Sequence, residues 1–392
     1  MLYGSDRLPK TIDIGCCERM GLHVVKEEEE MAKKILVVDD SALVRRVLSD
    51  IIDSDKRFQV VDKAVEGVEA LELLRKNTYD AVVLDVNMPK MDGIQLLDEL
   101  RKNKISARVM MASTDTREGA KVTLDALELG ALDFIHKPQN VMDCRSDDFK
   151  ENMLRILTVV ADSKPPVFES KDQLLSDRKT VTKVVDIAKK HPLHIAGNTI
   201  VAIASSTGGP KALQSVIPKL PAQLNAPVLI VQHMPKAFTA SLAERMNAVS
   251  EIAVKEAEEG EELRKGQVYI ARGGSHMNVK KGPSGKYVIA YSDQPTREGV
   301  KPCANYMYES LAECSFDNIV CTVMTGMGAD GTEGIRNLKS KKKAYVISQD
   351  QESSTVYGMP RSVVNAGLSD QVVPLNQIAQ EIILHVGLFG NQ

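Results

Sequence analysis

Short apolar, β-branched runs recur along this chain, each stopping at a polar residue and giving way to a helical pattern. Such runs suit strands buried on both faces, as in a parallel sheet covered by helices. The first is Ile35-Leu36-Val37-Val38. Ser41 then stands where a helix N-cap belongs, ahead of Leu43, Val44, Val47, Leu48, Ile51 and Ile52 at helical spacing. Strand-like runs follow at Phe58–Val61, Ala81–Leu84, Arg108–Met111 and Leu132–Ile135, with helical patterns between and after them. Five βα units in succession imply a doubly wound α/β domain, whose ligands bind beyond the carboxyl ends of the strands.

Those ends carry the chemistry. Asp39 and Asp40 follow the first run, Asp85 the third, Ser113 the fourth and Lys137 the fifth. Three carboxylates facing one crevice repel each other unless a hard cation joins them, and Mg²⁺ suits an oxygen site that keeps room for a phosphate. One carboxylate can then attack a phosphoryl donor while Lys137 neutralises charge on the transferring group. Any one of these aspartates, taken alone, reads equally as a loop or capping residue; the five positions in order do not.

The stretches Val37-Val38-Asp39-Asp40-Ser41, Leu84-Asp85-Val86-Asn87-Met88-Pro89, Ser113 and Phe134-Ile135-His136-Lys137-Pro138 resemble the two-component receiver domain. That resemblance implies a flavodoxin-like fold with Asp85 as phosphoacceptor. It also implies Mg²⁺ held by Asp39, Asp40, Asp85 and the Asn87 carbonyl, and a histidine kinase as phosphodonor. Ser113 is expected to close onto the phosphoryl group and Lys137 to pair with it. Phe134 stands at the family's switching aromatic, and a core position on the last strand is the equal alternative.

The second half repeats the design. Thr199–Ala204 runs into Ser205-Ser206-Thr207-Gly208-Gly209-Pro210, with Pro210 suited to the start of a helix. Val228–Val231 ends in Gln232-His233-Met234-Pro235, and Ile319–Met324 in Thr325-Gly326-Met327-Gly328-Ala329-Asp330-Gly331. A Ser, a His and an Asp therefore each follow a buried strand. Histidine is the base whose pKa lies nearest neutrality, and it activates a serine hydroxyl when an aspartate fixes its tautomer. Other readings stay open for each residue. Ser-Thr-Gly-Gly before a helix equally makes an anion-binding turn, His233 a structural imidazole, and Asp330 a turn or cap. The Ser205–Pro210 turn is not a nucleotide-binding Gly-x-Gly-x-x-Gly. The order Ser…His…Asp, without a Gly-x-Ser-x-Gly elbow, disfavours a lipase-type fold.

The motifs around Ser206, His233 and Asp330, together with Val268-Tyr269-Ile270-Ala271, Gly274-Ser275-His276-Met277 and Val356-Tyr357-Gly358-Met359-Pro360, are similar to the chemotaxis protein-glutamate methylesterases. The resemblance implies a Rossmann-like catalytic domain with Ser206 as nucleophile, His233 as base and Asp330 as its orienter. The Met327 amide becomes an oxyanion donor, Thr207 and His276 line the site, and His276 is the rival base. The esterase domain is expected to need no cofactor. Demethylation of glutamate γ-methyl esters on methyl-accepting chemoreceptors, with deamidation of receptor glutamines, is the implied activity. In the unphosphorylated state the receiver is expected to lie across the Ser206 crevice. A response regulator whose second domain only binds receptors or anions is the alternative. One departure stands out: where the family reads Arg-Pro-Ser-Val-Asp, this chain has Lys301-Pro302-Cys303-Ala304-Asn305. If that segment touches receptor helices, substrate preference shifts with it.

A length of 392 residues suits two domains and a connector. The expected division is an extension over 1–32, a receiver over 33–151, a linker over 152–197 and a catalytic domain over 198–388. The linker carries Pro165-Pro166, a helical patch at Val181–Ile187, and His191 and His194, which read as solvated. The glutamate run before Met31 suggests a start at that methionine, the codons ahead of it being a ribosome-binding site. A net charge of −3 disfavours nucleic acid as partner. No run is apolar enough to span a bilayer. Six cysteines without metal-ligand spacing fit reduced thiols in a cytoplasm.

Overall fold

A computed structural model of the chain describes residues 31–114, 117–138, 140–166 and 197–389. The first domain runs β1 (Lys33–Val38), α1 (Ala42–Asp53), β2 (Phe58–Ala64), α2 (Gly67–Lys76), β3 (Ala81–Asp85), α3 (Gly93–Lys102), β4 (Val109–Thr114), α4 (Arg117–Leu129), β5 (Asp133–Lys137) and α5 (Asp147–Asp162). Its strands are parallel and ordered β2-β1-β3-β4-β5, the flavodoxin-like winding. Ser41 caps α1 by accepting from the Val44 amide, and Asp92 with Gln95 forms a capping box on α3. The apolar run of β1 is buried on both faces, which is why it shows no alternation.

The second domain comprises β6 (Thr199–Ser205), α6 (Gly209–Val216), β7 (Val228–Gln232), α7 (Lys236–Val249), β8 (Ala253–Glu256), β9 (Gln267–Ile270), β10 (His276–Lys281), β11 (Tyr287–Ser292), α8 (Ala304–Ala312), β12 (Asn318–Val323), α9 (Thr332–Lys341), β13 (Ala344–Gln349), α10 (Met359–Asn365), β14 (Gln371–Val373) and α11 (Leu375–Val386). Seven of its strands form a parallel sheet in the order β14-β13-β12-β6-β7-β9-β8, while β10 and β11 make a separate antiparallel hairpin. Both domains are thus doubly wound α/β. β6 lies between β12 and β7, so the order reverses at the first strand, and the three chemistry-bearing ends stand side by side.

α5 continues to Asp162, so the expected linker start at residue 152 falls inside a helix packed on the receiver sheet. The helical patch at 181–187, His191 and His194 lie outside the described residues, as do residues 1–30 with Cys16 and Cys17. The four described cysteines, Cys144, Cys303, Cys314 and Cys321, are free and buried.

The receiver rests on the second domain through α4, β5 and α5. Phe134 of β5 stacks on Phe238 of α7, ring centroids 4.4 Å apart and planes at 20°. Arg245 of α7 pairs with Asp125 and Glu128 of α4. Lys164, just past α5, reaches the carbonyls of Gln351 and Glu352 at 3.4 and 3.3 Å. Phe134 therefore occupies the domain interface, which neither of its two sequence readings had placed there.

Candidate active site and phosphoacceptor crevice

The Ser206 turn is stitched to its neighbours by backbone hydrogen bonds. Ser206 N–H donates to the Thr325 carbonyl at 3.0 Å, and His233 N–H to the Ser205 carbonyl at 3.1 Å. Gln232, itself buried, donates from Nε2 to the Ser206 carbonyl at 3.0 Å. Gly326 makes the close approach possible: a Cβ there would lie 2.8 Å from Ser206 Cβ and 2.3 Å from Met359 Sδ. Gly208, at φ +75°, is the left-handed N-cap of α6, where a side chain would be strained.

His233 Nε2 and Asp330 Oδ2 are 2.7 Å apart. Burial (Asp330 is 1% exposed) would raise this carboxyl, but the hydrogen bond and charge of His233, with donors from Cys303 and Ala304, outweigh it and hold the carboxyl below its ordinary range. An ionised carboxylate only accepts, so the imidazole proton sits on Nε2 and the Nδ1 lone pair is free to act as base. Ser206 is 9% exposed. Its hydroxyl makes no hydrogen bond among the described residues, so contact with His233 has still to close, as is common before substrate binds. The neighbouring Ser205 is fully buried and donates to Gln232 Oε1 at 2.7 Å.

His276 is fully buried with both ring nitrogens engaged: Nε2 meets the Gln294 carbonyl and Nδ1 accepts from Cys303 N–H, each at 3.1 Å. Burial, with the charge of Lys301, lowers its pKa. A histidine committed to two backbone groups has no lone pair for catalysis. The segment 301–305 also departs from its expected outward role. Asn305 is 0% exposed and its Oδ1 accepts from Gly331 and Gly334 amides, so it faces the protein interior rather than a receptor helix.

The receiver meets this rim directly. Thr207 Oγ1 donates to Asp133 of β5, and Arg155 of α5 lies 3.6 Å from Met327 Sδ. Burial, above all, raises the Asp133 carboxyl against the Thr207 hydrogen bond.

At the other crevice, carboxylate oxygens of Asp39, Asp40 and Asp85 lie within 4.8 Å of one another. Lys137 Nζ bonds Asp85 Oδ1 at 2.6 Å and Asp39 Oδ2 at 3.1 Å. Burial raises the Asp85 carboxyl despite Lys137, and the charge of Asp39 adds to the effect. Three carboxylates balanced by one ammonium leave a negative site whose hard oxygen donors fit a divalent cation. Asn87 is exposed beside it. The Ser113 hydroxyl instead accepts from Thr123 Oγ1 at 2.7 Å and points to the Gly119 carbonyl at 3.4 Å, so closing on a phosphoryl group requires it to turn.

Residues 201–382 match the family model described as CheB methylesterase, and residues 35–146 that of the response regulator receiver domain, a type that binds Mg²⁺ in phosphorylation. Over 356 residues the chain is 41% identical to the protein-glutamate methylesterase/protein-glutamine glutaminase 1 of Syntrophomonas wolfei, a match covering 90% of this chain and 98% of that one. The chain belongs to the CheB methylesterase family. A second CheB-family relative, the protein-glutamate methylesterase/protein-glutamine glutaminase of Bacillus subtilis, is 40% identical over 353 residues, 89% of this chain and 97% of its own. Among solved structures, the CheB methylesterase catalytic domain of Thermotoga maritima aligns with 48% of this chain and 99% of its own at 40% identity and TM-score 0.46.

Within this CheB-family chain the sequence reading missed Phe238, Arg245 and Arg155, which look like ordinary helix residues until the receiver is docked. It also missed the hairpin β10–β11, for which a signal existed: two β-rich runs flank Gly282-Pro283-Ser284-Gly285.

Proposed function

We propose that this chain hydrolyses glutamate γ-methyl esters on methyl-accepting chemoreceptors, releasing methanol, and deamidates receptor glutamines by the same route. The observation that carries the catalytic assignment is the His233–Asp330 hydrogen bond at the rim where the Ser206 turn is stitched between β12 and β7. Ser206 Oγ attacks the ester carbonyl as its proton passes to His233 Nδ1. Asp330 holds the ring and stabilises the imidazolium. The Met327 amide, beside the turn, donates to the developing oxyanion. His233 then returns the proton to the leaving methoxide, giving methanol and a glutamyl-serine ester. Water, deprotonated by His233, attacks that ester and frees the glutamate. With glutamine, ammonia leaves in place of methanol.

The receiver supplies control. A histidine kinase phosphorylates Asp85. Asp39, Asp40, Asp85 and the Asn87 carbonyl would hold Mg²⁺, which would supply positive charge to the phosphoryl group. Lys137 exchanges part of its carboxylate pairing for the phosphoryl oxygens, and Ser113 turns from Thr123 toward them. With Asp133 on Thr207 and Arg155 on Met327, the unphosphorylated receiver covers the rim that a receptor helix must reach. Movement of β5 and α4 relieves that cover. The chain's substrates are the cytoplasmic helices of the chemoreceptors, so it acts in the cytoplasm. Among the described residues no helix is long and apolar enough to cross a membrane.

Methanol release from methylated receptor, with and without a small phosphodonor, tests the reading. The unaltered protein should turn over and be activated by phosphodonor. Ser206→Ala should lose about 10⁴-fold or more. Equal rates for the two proteins would leave the second domain a binding module.

A further inference from the structure

Two helix N-termini meet at Asp330, and neither is capped by its own N-cap residue: Cys303 and Gly331 contribute no side-chain cap. Each helix is capped by the other's chain. The Asp330 carboxylate, one residue before α9's N-cap, accepts from the first amides of α8: Ala304 N–H to Oδ2 at 2.6 Å and Asn305 N–H to Oδ1 at 2.9 Å. The Cys303 thiol donates to Oδ1 at 3.0 Å. In return, Asn305 Oδ1 accepts from Gly331 N–H at 3.1 Å and Gly334 N–H at 2.6 Å, at the start of α9. Two amide donors on one oxygen fix which end of the Asn305 amide faces α9. Its Nδ2 has no hydrogen-bond partner among the described residues and is buried. The helices approach closely at this point: a Cβ on Gly334 would lie 2.7 Å from Asn305 Cα.

We infer that Asn305 is a positioning residue for the esterase reaction: its side-chain oxygen caps α9 while its backbone N–H binds Asp330, which holds the carboxylate against His233 and leaves Asp330 the lone negative charge in the cluster. This rests on the reading of Asp330 as the group that orients His233. Among the surrounding titratable groups, Lys301 pairs with Asp293 at 3.5 Å and Arg297 with Glu309 at 2.6 Å. Cys303 is pushed up to about 12, chiefly by burial, and Tyr308 well above the usual range by burial, so both are uncharged. His276 is lowered and its nitrogens are occupied. On the receiver side Arg155 and Asp133 reach Met327 and Thr207 rather than Asp330. An aspartate here, the residue that the family resemblance implies, would put a second carboxylate on the amide of Gly331, the residue next to Asp330. The departure at 305 therefore acts on the electrostatics of the base and not on receptor choice.

The test uses the full-length chain with phosphodonor, measuring methanol release from methylated receptor across pH. Asn305→Ala should lower kcat on the order of 10- to 100-fold with KM unchanged, because the start of α9 next to Asp330 loses its cap even though the backbone N–H to the carboxylate remains. Asn305→Asp should restore most of that turnover, since an aspartate caps α9 equally well. Its added negative charge stabilises the His233 imidazolium, so the acidic limb of the kcat/KM profile should move up by about one pH unit. Thermal melting of each variant shows whether it has folded. If the alanine variant does not fold, the aspartate profile decides alone. An Asn305→Asp profile superposed on that of the unaltered protein overturns the inference, as does a folded alanine variant with normal kcat or a change confined to KM. Failure of the unaltered protein to release methanol would instead strike the proposed function itself.

Discussion

Truncating Phe134 to alanine should switch the enzyme on without phosphorylation. Phe134 is 8% exposed and Phe238, on which it stacks at 4.4 Å, is fully buried. A buried phenylalanine covers about 200 Å², and roughly half of this ring faces the other domain, so about 100 Å² of apolar contact is lost across the interface. At about 25 cal/mol per Å² that is ~2.5 kcal/mol, to which the stacked geometry adds up to ~1 kcal/mol. A loss near 3 kcal/mol moves the closed–open equilibrium about 100-fold. Methanol release in the absence of phosphodonor should rise by up to that factor, with the fully activated rate as its ceiling. Arg245→Ala removes the pairs with Asp125 and Glu128, whose side chains are 43% and 39% exposed. Such exposed pairs contribute about 0.2–1 kcal/mol each, so only a few-fold rise is expected. A folded Phe134→Ala protein with an unchanged basal rate that phosphodonor still activates would refute the inhibitory role of this interface. Arg245→Ala exceeding Phe134→Ala would refute the ranking.

Gly326→Ala should lower turnover on the order of 100-fold while the fold melts cooperatively, because the added methyl must displace the Ser206 turn or Met359; normal kinetics would show that the close approach is dispensable. Asp330 stabilises the fold at neutral pH because its carboxyl is held below the ordinary range. That contribution is present above the unfolded value of about 3.9 and disappears as pH falls through the folded value. Urea unfolding should therefore find Asp330→Asn less stable than the unaltered protein at pH 7, with the gap shrinking toward pH 3; a gap that widens on acidification would contradict the sign. Mg²⁺ should raise the melting temperature of the unaltered protein and have little effect on Asp39→Asn, since that variant removes one of the clustered carboxylates.

What could be read before the structure follows from what local pattern encodes. The buried strands were legible because a continuous β-branched run between a capping serine and a glycine turn has few other uses, as β1 with Ser41 and β6 with Gly208 show. That Ser206, His233 and Asp330 sit at strand ends was legible for the same reason. Which ends are adjacent was not, because the placement of β12 beside β6 depends on a crossover spanning most of the domain. Asn305 stood out as a departure, but its structural role was invisible for a related reason. A polar residue after Pro302 and Cys303 reads as surface, and only the meeting of α8 with α9 gives its oxygen two buried amides. Phe134 looked like either a switch or a core residue because the surface it covers belongs to another domain.

The catalytic centre can be tested most directly by treating the phosphodonor-activated protein with a fluorophosphonate and mapping the adduct by peptide mass spectrometry. One covalent adduct on Ser206, lost in His233→Ala and slowed in Asp330→Asn, is the predicted result. No adduct, or an adduct on Ser205 that forms equally without His233, would contradict it.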